Sequence, residues 1–62
     1  MKYLVSEEYG CVYWLKDGQI FWTPQSKDGS FDIEDGGAVE RPHDEVPESY
    51  YEEVERKLKA SL

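Results

Sequence analysis

A chain of 62 residues with a formal charge of −7, one cysteine and one histidine has few routes to stability and few classes of ligand open to it. With Cys11 the only cysteine, an internal disulfide is excluded, and with His43 the only histidine no zinc-ligand set is present. Fourteen acids against seven bases argue against nucleic acid or an anionic membrane as a direct ligand, because a polyanion calls for a cationic surface.

At this length one small domain is expected over residues 1–62. A domain of roughly 60 residues buries only about 60% of the surface its unfolded chain exposes. Of the usual aids to a small fold, oligomerisation is the one left, unless the two Trp, five Tyr and two Phe let a small core suffice.

Residues 1–24 read as a β-meander. Tyr3-Leu4-Val5 predicts a first strand over about Lys2–Ser6, and Glu7–Gly10 the connection that follows, either a four-residue loop or a shorter one with Gly10 in a bulge. Strands over Cys11–Lys16 and Gln19–Thr23 flank Asp17-Gly18, a type I′ turn signal, and Pro24 ends the third. That turn sets Trp14 opposite Phe21 and Tyr13 opposite Trp22. One face then carries Cys11, Tyr13, Leu15, Ile20 and Trp22, and the other Val12, Trp14, Lys16, Gln19, Phe21 and Thr23.

Residues 25–46 are acidic and turn-rich, with seven acids against Lys27 and Arg41, a net of −5. Lys27–Ser30 and Glu34–Gly37 are turn signals. The alternation at Phe31 and Ile33 leaves room for a short fourth strand near Phe31–Glu34, and Val39 for a further extended piece before Pro42. Phe31, Ile33 and Val39 are expected to anchor the segment.

Residues 47–62 predict the C-terminal helix, starting between Val46 and Ser49 on the strength of Pro47 and the Ser49-x-x-Glu52 capping pattern. Tyr50, Val54, Leu58 and Leu62, joined by Tyr51, make one apolar stripe. Glu52/Arg56, Glu53/Lys57 and Glu55/Lys59 are i,i+4 pairs in the favourable order. The expected fold is α+β: a three-stranded antiparallel meander, with or without the short fourth strand, packed on one helix. The stripe should meet Tyr13, Leu15, Ile20, Trp22 and Leu4.

One helix covers one face. The other needs residues 25–46, a second chain or another protein. The face bearing Val12, Trp14, Phe21 and Thr23 is the expected outer one, since it also carries Lys16 and Gln19, and large exposed apolar patches mark interaction sites. The leading expectation is therefore a small acidic, non-catalytic protein-interaction module, forming a homodimer or binding a partner protein through that aromatic face. A second class is an acidic mimic of nucleic acid that inhibits a basic DNA- or RNA-binding protein through Asp28, Asp32, Glu34, Asp35, Glu40, Asp44 and Glu45. Against it stands the plain reading of these acids as solubilising charge. A third is a weak calcium loop from Asp28 onward, although Ile33 and Val39 stand where an EF-hand loop requires Gly and Glu. No catalytic spacing involves Cys11 or His43, no Gly-rich phosphate loop precedes a helix, and no metal or cofactor is expected. The first residues show no secretory pattern and no stretch approaches the length of a membrane span, so the expected compartment is the cytoplasm.

Overall fold

The computed structural model of the chain describes residues 2–33 and 38–60. Its elements are β1 (Tyr3–Ser6), β2 (Cys11–Lys16), β3 (Gln19–Pro24), β4 (Val39–Glu40) and α1 (Glu48–Ala60), and the strands form one antiparallel sheet in the order β1-β2-β3-β4. The expected α+β meander on a helix is therefore the fold. The short fourth strand lies at Val39–Glu40, beside β3. Residues 31–33, where it had been expected to begin, form no strand, and Glu34 lies outside the described residues.

Two turns set the register. Asp17 and Gly18 adopt φ values of 55° and 80°, as a type I′ turn requires, and Lys16 faces Gln19, Trp14 faces Phe21 and Val12 faces Thr23. The β1–β2 connection is a four-residue turn, Glu7–Gly10, with Gly10 at φ 64°. It pairs Ser6 with Cys11, Leu4 with Tyr13, and Tyr3 with Trp14. Pro24 is the last residue of β3, and the pairing runs one step further, since the Gln25 amide donates to the Gly10 carbonyl at 3.0 Å.

The helix begins at Glu48, where the amides of Tyr50 and Tyr51 donate to the Pro47 carbonyl. The expected start is correct, but Pro47 precedes the first turn instead of occupying it. Tyr51, Val54 and Leu58 are buried against Cys11, Tyr13 and Ile20, with Val46 completing the cluster and Leu4, Leu15, Trp22 and Tyr50 packed around it. Leu62, the last residue of the expected stripe, lies outside the described residues. Glu53–Lys57 and Glu55–Lys59 form the expected i,i+4 ion pairs at 3.2 and 3.6 Å. Among the described residues, no helix is long and apolar enough to cross a membrane.

Candidate interaction surface

The helix-side face ends in an aromatic cluster around His43. Trp22 stacks flat on the His43 ring, centroids 3.9 Å apart and planes 7° off parallel. The Tyr13 hydroxyl lies 3.5 Å from His43 Nδ1, and Tyr9 meets both His43 and Tyr50 edge to face. Tyr50 reaches across to β1, its hydroxyl donating to Ser6 Oγ at 2.8 Å, and Ser6 Oγ also accepts the Tyr9 amide. Arg41 follows β4, ion-pairs with Glu48 and lays its guanidinium 4.7 Å above the Tyr51 ring. These contacts tie the segment before the helix to the sheet, and they account for His43 as a packing residue.

Cys11 and Tyr13 lie buried beneath this cluster. Burial pushes the Cys11 thiol up, against a smaller lowering by its hydrogen bond with Tyr13. Burial pushes the Tyr13 hydroxyl much further up, with Cys11, Tyr51 and Tyr50 adding to it.

The opposite face differs from the expectation. Val12 and Trp14 are 0% and 2% exposed, Thr23 is buried and Phe21 is half-buried, so these four residues do not form an open patch on this chain. The segment after β3 folds back toward this face. Ser26 and Ser30 close a tight turn, the Gln25 side chain caps the Gly29 carbonyl at 2.9 Å, and Asp28 accepts from both the amide and the hydroxyl of Ser30. This fold-back brings Phe31 edge to face onto Tyr3, ring centroids 5.0 Å apart, on the side of the sheet where Trp14 stacks on Phe21. The segment thus places one aromatic ring on the face that the helix does not reach.

Of the candidate acidic residues, Asp28, Asp32, Glu40, Asp44 and Glu45 are exposed, while Glu34 and Asp35 lie outside the described residues. The Ser30 hydrogen bonds hold the Asp28 carboxyl below the usual range. Asp28 is therefore engaged in its own turn, and among the described residues no three His, Cys, Asp or Glu side chains converge as a metal site would need. Glu40 does join Glu48, Glu52 and Glu55 beside Arg41 in a shallow cleft of about 410 Å³ between β4 and the helix. The pattern of residues 25–46 gave no hint of it, because helix and strand contribute to it together.

What remains open is the rim of the covered face. Tyr3 and Val5 are 51% and 40% exposed, and β1 is the edge of the sheet. The sequence carries a signal for it, since the first strand of a meander is an edge, but the larger aromatic residues Trp14 and Phe21 lie nearer the sheet's centre. Val39, also exposed, sits on the other edge, where β4 is two residues long and Pro42 follows closely. No protein-family model, curated protein or solved structure matches this chain.

Proposed function

We propose that this chain is a small non-catalytic protein-interaction module of the cytoplasm, and that its contact surface is the rim of the aromatic face at Tyr3 and Val5. The observation that carries the reading is that two large apolar side chains of β1, the edge strand among the described residues, stand about half exposed beside a fully buried Val12 and Trp14. Such an edge offers main-chain hydrogen bonds for affinity and alternate side chains for selectivity, the mode in which an extended segment adds to a sheet. The single buried thiol suits a reducing compartment. The net charge of −7 favours a protein ligand over a polyanion.

The test compares the parent chain with Tyr3→Asp and Val5→Asp, each immobilised and exposed to native lysate, alongside sedimentation of the free chains. Protein captured by the parent, itself included, should be lost with both variants and kept with Asp44→Ser, which alters a distant turn. Capture that survives both rim variants, or a parent that neither captures protein nor self-associates, refutes the reading.

A further inference from the structure

We infer that the segment completing the β1 edge is β1 of a second copy, running antiparallel about a two-fold axis at Leu4. The inference rests on the interaction reading above and names its partner.

Backbone geometry comes first. In a hairpin with a two-residue turn the flanking residues exchange hydrogen bonds, and hydrogen-bonded pairs then alternate with non-bonded ones. Lys16–Gln19 is therefore bonded, as are Trp14–Phe21 and Val12–Thr23, which leaves the peptide groups of Cys11 and Tyr13 turned toward β1 and those of Ile20 and Trp22 toward β4. The Arg41 amide donates to the Ile20 carbonyl at 3.2 Å, as this alternation demands. On β1, Leu4 and Ser6 then bond to β2, while Tyr3 and Val5 point their N–H and C=O groups outward.

Two outward residues separated by one inward residue are self-complementary. With Leu4 facing Leu4 of the second copy, Tyr3 of each copy faces Val5 of the other, and all four outward amides find carbonyls. Centring the pairing on Val5 instead would oppose Tyr3 to Glu7, which lies in the turn. The Leu4-centred register also places an aromatic against a β-branched side chain twice on one face, a favourable cross-strand combination, using the two residues that are otherwise exposed.

Charge selects the direction. The edge carries exposed Lys2 at one end and exposed Glu7 and Glu8 at the other. Antiparallel pairing brings each lysine toward the acidic end of the other copy, whereas parallel pairing would stack like on like. Within Tyr3–Ser6 there is also no proline, no charged residue and no bulge to block such pairing. An isologous two-fold contact closes on itself and forms no fibre. A four-residue edge buries less than the roughly 1,200–2,000 Å² of a stable interface, so the association is weak and reversible.

The experiment is sedimentation equilibrium of the full chain from micromolar to millimolar concentration at about 0.15 M salt, where screening over about 8 Å removes most of the repulsion between two acidic copies. The parent's mass should rise toward twice that of one chain. Val5→Pro should stay at a single mass with an unchanged circular dichroism spectrum, because among the described residues the amide it removes points away from β2 and makes no bond. A second variant covers the case in which Val5→Pro does not fold. Leu4→Cys should form an intermolecular disulfide on mild oxidation, because facing residues of a non-bonded pair have Cα atoms about 4.5 Å apart. Tyr3→Cys, offset from itself, should form one roughly tenfold more slowly. A parent that stays single at millimolar concentration, a folded Val5→Pro that still doubles, or equal cross-linking at both positions overturns the inference. If the parent stays single yet loses a captured protein on Val5→Pro, self-pairing fails and the interaction reading survives. A doubled mass that neither Tyr3→Asp nor Val5→Asp disturbs refutes both.

Discussion

Trp14→Ala offers the sharpest test of how the second face is covered. Were that face open, the substitution would weaken association and leave the monomer folded. In the structure Trp14 is 2% exposed at the centre of the sheet, with Tyr3 and Phe21 as its cross-strand neighbours and its ring stacked on Phe21 at 6.2 Å. Truncating a buried Trp costs about 3–5 kcal/mol, from lost transfer energy and from the cavity left behind. At roughly 0.05–0.15 kcal/mol per residue, a chain of 62 residues holds only roughly 3–9 kcal/mol in total. The variant should therefore lose at least about a third of its stability and at worst be unfolded at 25 °C. In a domain of this size each kcal/mol moves Tm by about 4–8 °C, so a fall of about 12 °C or more is expected. Far-ultraviolet circular dichroism on heating, with Trp22 fluorescence in urea as a second probe, measures it. Phe21→Ala should cost less, since Phe21 is half-buried, and a double-mutant cycle should return about 0.5–1.5 kcal/mol of coupling for the stacked pair. A Trp14→Ala protein melting within about 4 °C of the parent would mean that residues 25–33 do not close over the face.

Other outcomes follow from single positions. Gly18→Ala should destabilise by about 1–2 kcal/mol in urea titrations through the backbone alone, because Gly18 sits at φ 80° with nothing within 4 Å of an added Cβ. Tyr50→Phe removes the bond to Ser6 Oγ that joins helix to edge strand, and should cost about 0.5–1.5 kcal/mol by the same assay. Burial raises the Tyr13 and Tyr51 hydroxyls above their ordinary values, so the unfolded chain ionises first. Their contribution is complete below about pH 10 and is lost as pH rises beyond it, so the urea midpoint should fall there and fall less steeply in Tyr13→Phe. Asp28 has the opposite sign: its depressed value gives stability that is present above about pH 3.9 and lost as pH drops through the folded value. The urea midpoints of the parent and Asp28→Ala should therefore differ at pH 7 and converge in acid.

The fold was legible where local chemistry and long-range packing agreed. Asp17-Gly18 fixed the pairing of β2 with β3 because few other dipeptides accept two positive φ values in succession. The Tyr50/Tyr51/Val54/Leu58 stripe identified the helix and the sheet face beneath it, since no other segment had a helical period. Residues 25–33 were legible only in part, for a physical reason. Phe31 is the anchor its alternation with Ile33 suggests, packed on Tyr3, but the side-chain-to-backbone bonds by Gln25 and Asp28 that fold the segment back make no periodic pattern. The Val12/Trp14/Phe21/Thr23 face stands out by composition, but composition cannot tell a face that awaits a second chain from one buried within its own. His43 read as an unassigned loop histidine because its stacking on Trp22 joins residues that only the tertiary fold brings together.

The position of the open surface follows from how many covers so short a chain can make. A sheet with two apolar faces needs two lids, and here one is a helix of 13 residues and the other a folded-back segment. Both close first over β2, the strand with neighbours on either side, and Cys11 through Trp14 are accordingly buried without interruption. Exposure therefore collects at the margins, and the two margins are unequal. Beside β3, a two-residue strand turns at once into Arg41, whose guanidinium is held by Glu48 and the Tyr51 ring, so that edge is short and tied to the helix at its end. Beside β1 the strand is longer, its side chains alternate with outward peptide groups, and Ser6, bonded to Tyr50, pins only its far end. Adding residues to the loop would thicken a lid without reaching this edge, because a lid lies over a face while the free N–H and C=O groups lie in the sheet plane. Only another strand meets them, and for that reason the contact surface is sought at Tyr3 and Val5 and not at the more aromatic centre.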